Sequence, residues 1–204
     1  MPLRRRCRLG AVELSLAAAA GRLAGLLSLA AFVPYIVTTL RGRTRPNRAT
    51  WWIWTINGLV LGASYWATGA THTLWVPVSY VIGPVVTAIL SLKYGEGGWT
   101  GFDRACLTAA GVSLLLWWTF STPLVALLMT LSVDFSGALP TIRKAWHDPS
   151  GEDRLAWALF IAGNAANLFA VERWSLGVAI YPVYMFLASG TIAALVLRPR
   201  PRQP

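Results

Sequence analysis

Residues 105–142 read ACLTAAGVSLLLWWTFSTPLVALLMTLSVDFSGALPTI, an apolar stretch interrupted by a single charge, Asp134. As one helix rising about 1.5 Å per residue, it would overshoot a hydrocarbon core of roughly 30 Å almost twofold. It must therefore double back. Ser121-Thr122-Pro123 supplies the break, with a hydroxyl residue to cap a new helix and a proline for its first turn. The same logic extended in both directions predicts seven spans: 22–40, 51–69, 73–93, 104–121, 123–145, 154–172 and 174–197.

Composition agrees with a lipid solvent. Of the 204 residues, 55% are hydrophobic and only 13% charged, with a mean hydropathy of +0.53; a soluble domain carries roughly 25% charged residues. The apolar residues come in blocks rather than at helical or strand period, which marks an all-α integral membrane protein.

The formal net charge of +10 raises nucleic acid as a partner until the basic residues are located. With seven spans, the loops after spans 1, 3 and 5 and the C-terminal tail share one side. That side holds Arg41, Arg43, Arg45, Arg48, Lys93, Arg104, Arg143, Lys144, Arg154, Arg198, Arg200 and Arg202, against Arg173 alone in the opposite loops. This asymmetry places the C-terminus in the cytoplasm and the N-terminus outside, most simply in a plasma (inner) membrane. No basic soluble domain remains, so nucleic acid is not expected. Residues 1–21 run against the rule, because Arg4, Arg5, Arg6 and Arg8 fall outside, as does Arg22. They read as a leader or a peripheral segment, with Glu13 in the apolar run arguing against processing; an inserted segment would make an eighth crossing. Cys7 and Cys106 fall on opposite sides and are not expected to pair.

A second stretch organises the chain. Residues 33–54, VPYIVTTLRGRTRPNRATWWIW, lie over residues 139–160, LPTIRKAWHDPSGEDRLAWALF, at a shift of 106. Pro34 meets Pro140, Ile36 meets Ile142, Arg48 meets Arg154 and Trp51 meets Trp157. In each copy a helix carries proline in its last two turns, a charged loop follows, tryptophan opens the next helix and an asparagine sits inside it, Asn57 or Asn164. A third helix follows with proline in its first half, Pro77 or Pro182. The chain divides accordingly into a three-helix repeat at 22–93, a linker helix at 104–121, a second three-helix repeat at 123–197 and an Arg/Pro tail at 198–204. Three spans would invert the second copy and a fourth restores it, so the repeats are expected to be parallel.

This 3+1+3 order, with proline near the end of each first helix and a charged loop behind it, resembles the PQ-loop superfamily, which includes the SWEET (MtN3/saliva) sugar facilitators. The glutamine after the signature proline is replaced by Tyr35 and Thr141, and spans 3 and 7 lack the asparagines of the sugar site. The superfamily is thus the better match than its sugar-specific branch. The resemblance implies seven transmembrane helices and alternating access, with the prolines letting each three-helix unit rock.

Pro34, Pro140, Pro77 and Pro182 are the expected hinge or gate residues, since each removes a backbone donor; plain packing is the alternative. Asn57, Asn164 and Asn167 are expected inside the bundle, either as interhelical glue or as amides that replace a solute's water. Trp54, one turn before Asn57, and Tyr80 and Tyr184 join them as candidate substrate contacts. Asp134 falls near the bilayer midplane, where it is either a protonated structural residue or a proton-coupling group. Trp51, Trp52, Trp75, Trp117, Trp118, Trp146, Trp157 and Trp174 are expected at headgroup depth.

No catalytic constellation, metal site or cofactor motif is present in the sequence. The function expected is transport of a small polar solute, sugar-like or amino-acid-like, rather than an enzymatic one. A non-transporting receptor or assembly subunit on the same scaffold is the alternative. The expected partners are the solute and the lipid bilayer, with a second copy of the chain left open.

Overall fold

A computed structural model of the chain describes residues 2–69, 71–97, 100–119 and 122–199. The side chains of residues 2–15, 59, 62–64, 113–114, 117–118 and 123 lie outside that description. The expected interfacial rings of Trp117 and Trp118, Ser121 of the expected break, and all but the first two residues of the 198–204 tail are outside the described residues.

Among the described residues the regular structure is helical, without a strand: α1 (Pro2–Leu40), α2 (Arg48–Ala67), α3 (Trp75–Tyr94), α4 (Gly101–Thr119), α5 (Pro123–His147), α6 (Arg154–Phe169) and α7 (Leu176–Leu197), with short 3-10 turns at His72–Leu74 and Pro149–Gly151. Segments Leu16–Leu40, His72–Tyr94, Leu124–His147 and Leu176–Leu197 are long and apolar enough to cross a membrane. Polarity is inverted relative to a water-soluble fold. Leu26, Ile82, Leu115 and Leu187 point outward at 60% exposure or more, while Ser28, Asn57, Thr87, Thr130 and Asn164 are fully buried. Such a surface suits a lipid environment. The chain is an all-helical protein with the signature of the membrane interior.

Most boundaries differ from expectation by two or three residues, as at the starts of α2 and α4, and the start of α1 differs by more. The helix does not start at residue 22; α1 is continuous from residue 2, because the Ala- and Leu-rich run 11–20 has the highest helix propensity in the chain and no breaker until Pro34. α6 ends at Phe169 rather than near 172, and at 16 residues it is about 24 Å long. The chain turns there so that the Glu172 carboxylate can accept from the Thr71 hydroxyl at 2.5 Å and from the His72 backbone N–H. Burial alone would raise the Glu172 carboxyl, but these hydrogen bonds outweigh it and hold the group below its ordinary range.

The helices start where polar caps put them. The Asn47 side chain accepts from the Thr50 N–H to begin α2, and 106 positions later Asp153 accepts from the Ala156 N–H to begin α6. Each following arginine then reaches the end of the next helix but one connection away. Arg48 donates to the carbonyls of Ser91 and Gly97 at the end of α3, and Arg154 donates to those of Val196 and Arg198 at the end of α7. Each ties one carbonyl in the last turns of the helix and one just beyond its end.

Packing joins α1 to α6 and α3, α2 to α5 and α3, α5 to α4 and α7, and α6 to α7. The sequence Gly21-Arg-Leu-Ala-Gly25 makes one of these approaches unusually close. A Cβ on Gly21 would stand 2.1 Å from the His72 carbonyl oxygen, and one on Gly25 2.7 Å from the Trp75 Cβ. Small residues four apart let helices in lipid touch backbone to backbone. Gly21→Ala is expected to lower stability by about 1–3 kcal/mol through overpacking. Reversible unfolding in mixed detergent measures it; a variant as stable as the parent would show the contact to be looser than described.

Candidate functional site

Four rings from two helices set the wall of an interior cavity. Trp51 and Trp54 stand one turn apart on α2, with ring centroids 5.2 Å apart and edge to face. Trp157 and Phe160 stand one turn apart on α6, 5.4 Å apart. The two pairs are in register at the shift of 106 residues. Tyr80 of α3 stacks on Phe160 at 5.9 Å, and Tyr181, Met185 and Ser189 of α7 and Asp134 of α5 complete the lining. The cavity holds about 40 Å³ for the centres of water molecules. That admits a few waters, far below the roughly 300–1,000 Å³ of a site for a drug-sized ligand. A larger solute needs the helices to part.

Polar groups meet this cavity in two similar sets. In one, Tyr184 Oη of α7 donates to Asp134 Oδ2 of α5 at 2.7 Å, with Asn57 of α2 beside the same carboxyl. In the other, Asn164 Nδ2 of α6 donates to Tyr80 Oη of α3 at 3.4 Å and to Ser189 Oγ at 3.2 Å, with Ser28 of α1 beside Tyr80. Ser28 and Asp134 are equivalent positions at the shift of 106. Trp54 Nε1 donates to the Asp134 backbone carbonyl at 3.1 Å, which fixes the ring against α5.

Much of the buried hydrogen-bonding capacity here is unused. Among the described residues, both amide atoms of Asn57 and of Asn167, Asn164 Oδ1, Ser28 Oγ and Tyr181 Oη are buried with no partner at hydrogen-bond geometry. A buried polar group without a partner costs about 1–3 kcal/mol, and of these residues Tyr181 is in the cavity lining. Asn164 and Asn167 share a face of α6 as their spacing requires, but of the two only Asn164 reaches Tyr80 and Ser189.

Of the expected hinge residues, Pro34 is interior to α1, Pro140 to α5 and Pro182 to α7. Pro77 is not comparable. It sits in the first turn of α3, where no intrahelical N–H is lost, and the interior proline of that helix is Pro84, which lines the cavity. Trp51 and Trp157 are also placed otherwise than expected. They are 2% and 3% exposed and donate within the protein, whereas Trp75, Trp146 and Trp174 are half-exposed or more, as interfacial rings should be.

Toward each end of the bundle, side chains from different helices bond to one another. At the end carrying the arginine-rich loops, the buried Glu152 carboxylate accepts from Trp157 Nε1 at 2.8 Å and Tyr35 Oη at 3.1 Å, and pairs with Lys144 Nζ at 2.9 Å. Tyr35 in turn accepts from Trp51 Nε1 at 3.2 Å. Lys144 also donates to the backbone carbonyls of Arg45 and Gly151 and lies 3.5 Å from Glu96. One ammonium thereby joins the loops after α1, α3 and α5. Tyr35 and Thr141, which occupy the glutamine positions of the resembled motif, both make cross-helix bonds here, Thr141 to Thr50 at 2.9 Å. At the far end Tyr65 Oη of α2 donates to the Val178 carbonyl of α7 at 2.8 Å and shares a bond with Thr73.

Sequence reasoning passed over Tyr181, Phe160, Lys144 and Glu152. Tyr181 lies one turn before Tyr184, and Phe160 stands at the register position of Trp54; both signals were present. Lys144 carried none, being counted with the basic loop charges, and Glu152 was not singled out. Comparison with protein-family models, with curated proteins and with solved structures gives no match to this chain.

Proposed function

We propose that the chain is a transporter of a small polar solute, built from two like-oriented three-helix units, α1–α3 and α5–α7, joined by α4, with all seven helices crossing the membrane. The observation that carries the reading is the interior cavity, walled by register-matched aromatic pairs of α2 and α6 and holding the buried carboxyl of Asp134 in its lining. Packing supports the repeat. Exchanging α1, α2 and α3 for α5, α6 and α7 turns the α1–α6 contact into α5–α2, α1–α3 into α5–α7, and α2–α3 into α6–α7, all of which are present. The matched caps and arginines of α2 and α6 support it too. The basic side, with the Lys144–Glu152 cluster, faces the cytoplasm in this reading, following the arginine count. The bonded clusters at the two ends of the bundle are the contacts that would part in turn in the alternating step.

Solute entry into proteoliposomes tests the reading. Saturable uptake, with both chain ends mapped to opposite faces by reporter tags, is the expected result. Binding without movement would instead assign a receptor. Asp134, whose titratable neighbours are Tyr80, Tyr181 and Tyr184, is the group that would exchange a proton with the path. Flux through Asp134→Asn is then expected to lose its dependence on pH, and a pH profile unchanged from the parent would remove this role.

A further inference from the structure

The cavity has a composition that discriminates among solutes, and this deepens the transport reading on which it rests. Its lining contains one ionisable acid, Asp134, and no lysine, arginine or histidine. Asp134 is 8% exposed, and among the described residues it forms no ion pair; the salt bridges found both belong to Lys144, at the end of the bundle. Its near neighbours are a phenol and an amide, which solvate a carboxylate without neutralising it. Around it stand Trp51, Trp54, Trp157 and Tyr80, whose ring faces carry negative potential. An anion would meet the carboxylate and those faces with like sign. A neutral polyol would find a wall that is mostly hydrocarbon and ring.

We propose that this cavity takes a small organic cation of the quaternary or tertiary ammonium type, with Asp134 as its counter-charge and the tryptophans and Tyr80 as the box around it. Rings within about 6 Å attract such a cation most strongly when water is excluded, and indole is the best of them. A soft, weakly hydrated ammonium gives up little on entering, whereas a bare metal ion would lose a full shell of oxygen ligands for one carboxylate. The flexible Met185 lines the same space and can withdraw to enlarge it. Asn57, beside the Asp134 carboxyl, and the unpaired Oδ1 of Asn164 remain for a hydroxyl on the same solute.

The test uses choline and its neutral isostere 3,3-dimethyl-1-butanol, which has the same shape with carbon in place of nitrogen, and glucose as a neutral polyol. Thermal unfolding and tryptophan emission of the purified full chain are read as each is titrated, since a ligand of the native state raises its apparent stability. Choline is expected to give a saturable shift, the isostere to bind at least tenfold more weakly and glucose to give none. Asp134→Asn is expected to lose at least tenfold in choline affinity, and Asp134→Glu to keep it. The comparison of choline with the isostere needs no variant, so a poorly folding Asp134→Asn leaves the test intact. Equal binding of the two, or no choline signal, overturns the cation assignment. Uptake of a neutral solute with no choline binding would leave transport standing and the cation class wrong; choline binding without uptake or exchange in proteoliposomes would do the reverse.

Discussion

Glu152→Ala is expected to lower the stability of the folded chain by about 3–5 kcal/mol, the usual result of removing one partner of a buried ion pair. The carboxylate is enclosed, with its side chain fully buried, and three donors from α1, α5 and α6 end on it. Without it, Lys144 keeps two backbone carbonyls and the more exposed Glu96, and Trp157 and Tyr35 lose an acceptor. The double variant Lys144→Met, Glu152→Leu is expected to recover most of the loss, because it removes the stranded charge together with its partner. Unfolding of the single and double variants in mixed detergent measures both. A single variant within 1 kcal/mol of the parent would mean that water reaches the pair and that this end of the bundle is not sealed.

Asp134→Leu is expected to do the opposite to stability and more to function. An aspartate at the centre of a spanning helix costs roughly 2.5–3.5 kcal/mol on insertion scales. Leucine removes that cost and forfeits the hydrogen bond from Tyr184, worth about 1.5–3 kcal/mol to a charged acceptor. The balance leaves the variant at least as stable as the parent, with solute uptake reduced to background. A residue retained at a cost in stability is what a working site requires. Loss of stability together with uptake would instead make Asp134 a structural tie between α5 and α7.

The all-helical character and the membrane-length apolar segments Leu16–Leu40, His72–Tyr94, Leu124–His147 and Leu176–Leu197 could be read from the sequence because block length and proline placement are local properties. They needed only a ruler and the breaks at Pro123 and the charged loops. The candidate residues were legible in part. Asn57, Asn164, Trp54, Tyr80, Tyr184 and Asp134 stood out as polar or aromatic groups at depth, and the structure gathers them around one cavity, with Asn167 a turn away. What could not be read was which tryptophan faces lipid and which faces a neighbour. Trp51 and Trp146 both sit near a helix end, and only the presence of Tyr35 beside Trp51 separates a buried donor from an exposed ring. Nor could spacing show that Lys144 gathers loops from three parts of the chain, since Arg45 is 99 positions away from it. Pro77 was misjudged for a nearer reason: the helix start lay two residues before it, and a proline at a start bends nothing.

The paired arginines set where motion is allowed. α2 and α3 are already tethered by the short connection at residues 68–74, and Arg48 fastens their other tips; Arg154 does the same for α6 and α7. A hairpin held at both tips acts as a paddle that resists scissoring. A rearrangement that keeps these bonds slides one paddle past the other, along the lines where α1 meets α6 and α2 meets α5, while each paddle keeps its own shape.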